Sequence, residues 1–220
     1  MEILFGLVFA ALAALVCLGM VRITNREIEQ EACEGVQKYA GSLWMYTVLG
    51  AVVLVSALCG ARLFRYTVSI RAAIQIAVCY FAVLAAAVID LKLRIIPNLI
   101  PIILIGTKML IFAYELLFEA AKFTGLLMPV MGCLLCGLFL LLGNKLSKNG
   151  IGGGDIKLLV AMGFLLGLYA VFTTLVIALI VCSLFAVAVM LGKKMTIKQS
   201  VPFGPFIYAG YTLMCLLLLY

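Results

Sequence analysis

Long apolar runs broken by short polar segments set the pattern of this chain. The runs cover residues 3–21, 43–61, 72–89, 99–118, 126–143, 156–191 and 204–220. They are continuous, with none of the apolar/polar alternation of a half-buried strand. A bilayer core of about 30 Å takes roughly 20 apolar residues per helical crossing, and a helix satisfies its backbone groups within the segment. Each run therefore predicts a membrane helix. The run 156–191 holds one charge, Lys157, and is too long for one ordinary crossing. We divide it near Gly167 to Tyr169 into a short helix and a full one. The expected fold is an all-α, polytopic integral membrane bundle of about eight helices, in a range of six to eight, forming one transmembrane domain over residues 1–220.

Composition agrees and narrows the setting. With 67% hydrophobic and 11% charged residues, and a mean hydropathy of +1.30, the chain lacks the polar exterior of a soluble globule. Its outer surface is expected to face lipid. The net charge of +7 is spread over several polar segments, which suits anionic lipid headgroups and not nucleic acid. Positively charged loops stay in the cytoplasm. With the N-terminus outside, the segments 22–42, 90–98, 144–157 and 192–203 are cytoplasmic and carry eleven basic residues against four opposite. The basic stretch Arg62 to Arg71 pulls the other way. The first run lacks a basic segment ahead of it and has Glu2 instead, so it is expected to be a retained helix and not a cleaved signal.

Candidate chemistry is scarce, which makes it easier to find. The chain has eight cysteines and no histidine. Seven of the cysteines lie in apolar runs, and the one CxxC, Cys133 and Cys136, lies mid-span with no partners at zinc-site spacing. No metal and no cofactor is expected. Only two aspartates occur, Asp90 in AVIDLKLRIIPN and Asp155 in NGIGGGDIKLL, each where an apolar run meets a polar segment. The predicted topology puts both on the cytoplasmic side.

Each aspartate has a plain structural reading. Asp90 can pair with a neighbouring cation such as Lys92, and Pro97 then starts or bends the next helix. Asp155 can cap a helix after the glycines Gly152, Gly153 and Gly154. A nucleotide loop does not fit, because the glycines are not followed by Gly-Lys-Ser/Thr and an aspartate at the helix start repels phosphate. Lys92 and Lys157 can stabilise an ionised aspartate or anchor helix ends by snorkelling. Gly163 and Gly167 form a GxxxG step suited to close helix packing. Taken together, two membrane carboxylates suggest a working pair. Ionisable groups in membrane segments are costly and usually functional, and two close carboxylates share one proton. One can take a proton from water as it attacks a carbonyl, the other can donate to the carbonyl oxygen, and the leaving amine is protonated in turn.

Three motifs carry a family resemblance. IGGGDIKLL resembles the GxGD signature of membrane-embedded aspartic proteases, a group that includes presenilins, archaeal preflagellin peptidases and bacterial type IV prepilin peptidases. IDLKLRIIPN, with Asp90, resembles the first aspartate segment of the prepilin peptidases. VPFGPFIYAG, with Pro202, Phe203, Gly204 and Pro205, resembles a Pro-Phe-Gly-Pro-Phe element of that family. The resemblance implies Asp90 and Asp155 as catalytic residues and the glycines, prolines and Phe203 as shapers of the substrate path. It also implies a prepilin or pseudopilin precursor as protein substrate, cut at the cytoplasmic face of a prokaryotic inner membrane. Larger family members carry a zinc-bearing cytosolic insertion after the first span and methylate the new terminus. Here the matching segment, 22–42, is short and holds only Cys33, so peptidase activity without methyl transfer is expected. Two rivals stay open: an ion-coupled secondary transporter using the two aspartates, and a non-catalytic membrane component of a pilus assembly machine.

Overall fold

The computed structural model describes residues 2–31, 51–61, 69–118, 123–146, 150–191 and 202–218. These are helical apart from short connections. In chain order they form α1 (Glu2–Glu31), α2 (Ala51–Ala61), α3 (Ile70–Leu93), α4 (Leu99–Phe118), α5 (Leu127–Leu146), α6 (Gly153–Leu166), α7 (Leu168–Leu191) and α8 (Gly204–Leu218), with one 3-10 turn at Phe123–Leu126. The all-α membrane bundle expected from the apolar runs is the fold observed. Four of the helices, α3, α4, α5 and α7, are long and apolar enough to cross a membrane.

The helix ends follow local chemistry. Ser69 caps α3 by accepting the Ala72 amide at 3.3 Å. The helix stops after Asp90 because Arg94 turns into the left-handed region, φ 54, and sends its amide back to the Asp90 carbonyl at 3.0 Å. Pro97 favours extended backbone in the residue before it, and α4 begins just beyond. The long run 156–191 breaks at Gly167, whose φ of 88 favours glycine, so α6 and α7 are separated by that one residue. The expected division is thus found where it was placed.

Two boundaries differ from expectation. α1 stays helical to Glu31, past the end of its apolar run, so part of the segment expected as the loop 22–42 is helical backbone. Hydrophobicity marks where lipid contact ends, and a helix can continue beyond that point. Residues 32–42, including Cys33, lie outside the described residues, as do most of the stretch Arg62 to Arg71 and the start of the run 43–61.

α3 forms the centre, packed against α1, α4, α6 and α8, while α5, α6 and α7 pack on one another. The buried core includes Tyr80, Leu84, Leu104, Leu158, Met162, Leu165, Ile207 and Tyr211. Large apolar residues such as Leu110, Leu134 and Leu184 are exposed, as a lipid-facing surface requires. Lipid tails are as apolar as leucine, so helix association here depends on close fit and internal hydrogen bonds. Both are present. A Cβ on Gly132 of α5 would stand 2.6 Å from the Gly163 carbonyl of α6, and one on Gly163 would stand 2.8 Å from the Gly132 carbonyl. On the other side of α3, the Tyr80 hydroxyl meets Ser56 Oγ at 3.0 Å and the Tyr208 hydroxyl at 2.6 Å, joining α2, α3 and α8. That join fixes α8, which delivers its first residues to the end of α3.

Candidate functional site

Asp90 occupies the last turns of α3 and is 6% exposed. Its Oδ2 accepts the backbone amide of Gly204, the first residue of α8, at 2.7 Å. A Cβ at position 204 would lie 2.9 Å from Asp90 Cβ and 2.9 Å from Oδ2, so only glycine lets the amide come this close. Pro205 follows in the first turn of α8, where its missing N–H has no helical partner to lose.

Asp155 lies in the first turn of α6, behind Gly152, the extended capping residue. The loop is held from two sides. Ile151 donates its amide to Asn144 Oδ1 of α5 at 3.0 Å, and Lys157 Nζ reaches Asn98 Oδ1 ahead of α4 at 3.0 Å. The three glycines meet different surroundings. A Cβ on Gly152 would stand 2.8 Å from Asp155 Oδ2, one on Gly154 would stand 3.0 Å from Ile96 Cβ, and one on Gly153 would meet nothing. Gly154 therefore locks the Asp155 loop onto the Ile95-Ile96-Pro97 segment that follows Asp90.

The two aspartates converge on one cavity of about 520 Å³. Asp90, Arg94, Asp155, Gly152, Pro202 and Phe203 stand on its wall, and Leu140, Leu175 and Leu179 give it an apolar side. Asp155 precedes the apolar run that starts at Ile156. Its carboxyl is pushed up to about 6, first by burial and then by the charge of Asp90. Its Oδ1 is buried with no hydrogen-bond partner among the described residues.

Several residues singled out from the sequence are placed elsewhere. Gly153 is exposed, Lys157 points to Asn98 and not to a carboxylate, and Pro97 sets the turn into α4. The side chain of Lys92 lies outside the described residues. Among the described residues the basic one on the cavity wall is Arg94. Sequence reasoning passed over it in favour of Lys92, although both stand in the same motif. Asn98 and Asn144 were also missed, and asparagines at helix ends flanking the motifs were the available signal.

Fold and cavity together define a helical membrane protein with two carboxylates facing one partly enclosed space at an end of the bundle. Residues 77–187 match the sequence model of the type IV leader peptidase family. The match covers just over half of the chain, which belongs to that family. Among curated proteins it is similar to a prepilin leader peptidase/N-methyltransferase of Bacillus subtilis, 30% identical over 131 residues, covering 56% of this chain and 48% of the relative. A prepilin leader peptidase/N-methyltransferase of Burkholderia pseudomallei is 29% identical over 134 residues, covering 59% of this chain and 41% of the relative. The chain thus spans less than half the length of these relatives. No solved structure gives a significant match.

Proposed function

We propose that this protein is a membrane-embedded aspartic endopeptidase that removes the leader of prepilin-like or pseudopilin-like precursors, with Asp90 and Asp155 as its catalytic pair. The observation that carries the reading is the convergence of both aspartates on one cavity, where the charge of Asp90 helps keep a proton on Asp155. Family membership supports the same chemistry over ion transport. The pair holds one proton between two carboxyls, the state in which one can activate water while the other protonates the carbonyl oxygen. The apolar side of the cavity and the lipid-facing helices around it suit a precursor whose apolar helix stays in the membrane while its leader stays in water. Helical backbone hides its carbonyls, so the scissile peptide is extended when bound. The site is assigned to the cytoplasmic face of a prokaryotic inner membrane, following the charge distribution of the loops. Methyl transfer is not assigned.

The test is co-expression with candidate precursors from the same genome, reading the product terminus by mass spectrometry. Asp90→Asn and Asp155→Asn, inserted at normal levels, should each lower cleavage by about 10²–10⁴-fold, the usual contribution of a general acid or base. Cleavage at the normal rate by either variant would sink the reading.

A further inference from the structure

Asp90 and Asp155 line one cavity but have unequal hydrogen-bonding surroundings. Asp90 Oδ2 accepts the Gly204 amide at 2.7 Å. Asp155 Oδ1 is buried and has no partner among the described residues. Each carboxyl stands beside a helix N-terminus, α8 for Asp90 and α6 for Asp155, so helix dipoles alone do not separate them. The amide does. A donor on a carboxyl oxygen favours the ionised form, whereas a buried ionised oxygen without a donor carries a desolvation cost that protonation removes. Among the described residues Arg94 is the other charged one on the cavity wall, and it is exposed.

We infer that the one proton held by the pair resides on Asp155, and that the Gly204 amide keeps Asp90 as the carboxylate. The inference rests on the peptidase reading for its chemical roles and divides those roles between the residues. Asp90 takes a proton from water as the water oxygen bonds to the scissile carbonyl carbon. Asp155 gives its proton to the carbonyl oxygen, leaving a gem-diol. As the C–N bond breaks, Asp90 passes the water-derived proton to the leaving nitrogen, and Asp155 recovers a proton from a gem-diol hydroxyl. Both carboxyls then stand as they began. The upward push on Asp155 from burial and from Asp90 acts in the same direction. Gly204 is a positioning residue, because it acts on water only through Asp90.

The chain holds only two aspartates, so aspartate labelled with ¹³C at the side-chain carboxyl gives two reporters and no background. We expect two carboxyl resonances in lipid nanodiscs. In the pH range where the pair holds one proton, the resonance at the protonated position should be the one that disappears in Asp155→Asn. A protonated resonance that instead disappears in Asp90→Asn, or equal sharing between the two, overturns the inference. Gly204→Ala should move the Asp90 resonance towards the protonated position at fixed pH. An unchanged Asp90 resonance overturns the role of the amide. If Gly204→Ala does not fold, the wild-type spectrum still decides where the proton lies. Carboxyl spectra do not depend on turnover. Active Asn variants would therefore remove the peptidase reading, while a protonated Asp90 would remove only this division of roles.

Discussion

Gly152, Gly153 and Gly154 are chemically identical and sterically unequal. A methyl group on the first presses on Asp155, one on the third presses on Ile96, and one on the second enters open space. Gly153→Ala should therefore leave precursor cleavage within about twofold of wild type, since surface changes of this kind stay within roughly 0.5 kcal/mol. Gly154→Ala should cost about 1–3 kcal/mol of stability, the usual effect of overpacking, seen as a lower melting temperature in detergent together with slower cleavage. At Asp155 the sign of the pH effect is fixed by the direction of its shift. Its carboxyl, raised to about 6, holds the pair's proton below that pH and loses it above. Initial cleavage rates should fall as pH rises through that value, and a rate still climbing well above it would contradict the shared-proton mechanism. The aspartates were legible in the sequence because acids are so few. The inequality of the glycines was not, because it depends on Ile96 and on the direction a side chain would take.

Helix pairs carry the fit between elements, and α5 with α6 shows how. Gly132 and Gly163 lie backbone to backbone, with no room for a side chain at either position. Gly132→Val or Gly163→Val should push the two helices apart and destabilise the protein by about 1–3 kcal/mol or more. Because α6 carries Asp155, thermal shift and cleavage should fail together. Reading the GxxxG step identified Gly163 as a contact residue. It did not identify Gly132, which lies in an earlier helix with no matching spacing, so the pairing becomes visible only in three dimensions. The same step joined Gly163 to Gly167, yet Gly167 serves the break with its positive φ. Boundaries read from hydropathy agree well for α3 to α8. α1 outruns its apolar stretch, since polar residues can also extend a helix.

At the scale of the whole molecule, the two aspartates are brought together around α3, against which both α6 and α8 pack. We propose the cytoplasmic side for the end of the bundle that holds them, and Gly153 offers a direct check because its surroundings are open. A Gly153→Cys protein, probed with a membrane-impermeant maleimide, should be labelled in inverted vesicles and spared in intact cells. Labelling only from outside would reverse the topology. The bundle was legible from the runs and the shared cavity from the two motifs together. The part played by α8 depends on Tyr80 and Tyr208, whose hydroxyls meet across 128 positions of sequence. Finally, α6 has 14 residues, about 21 Å of helix at roughly 1.5 Å per residue, against a hydrocarbon layer of about 30 Å. A helix this short either sinks its polar start below the headgroups or draws the lipid surface down to meet it. Either adjustment would bring water to the carboxyls below the level of the surrounding headgroups and would make lipid chain length a control on the rate. Shorter acyl chains should speed precursor cleavage and longer ones slow it.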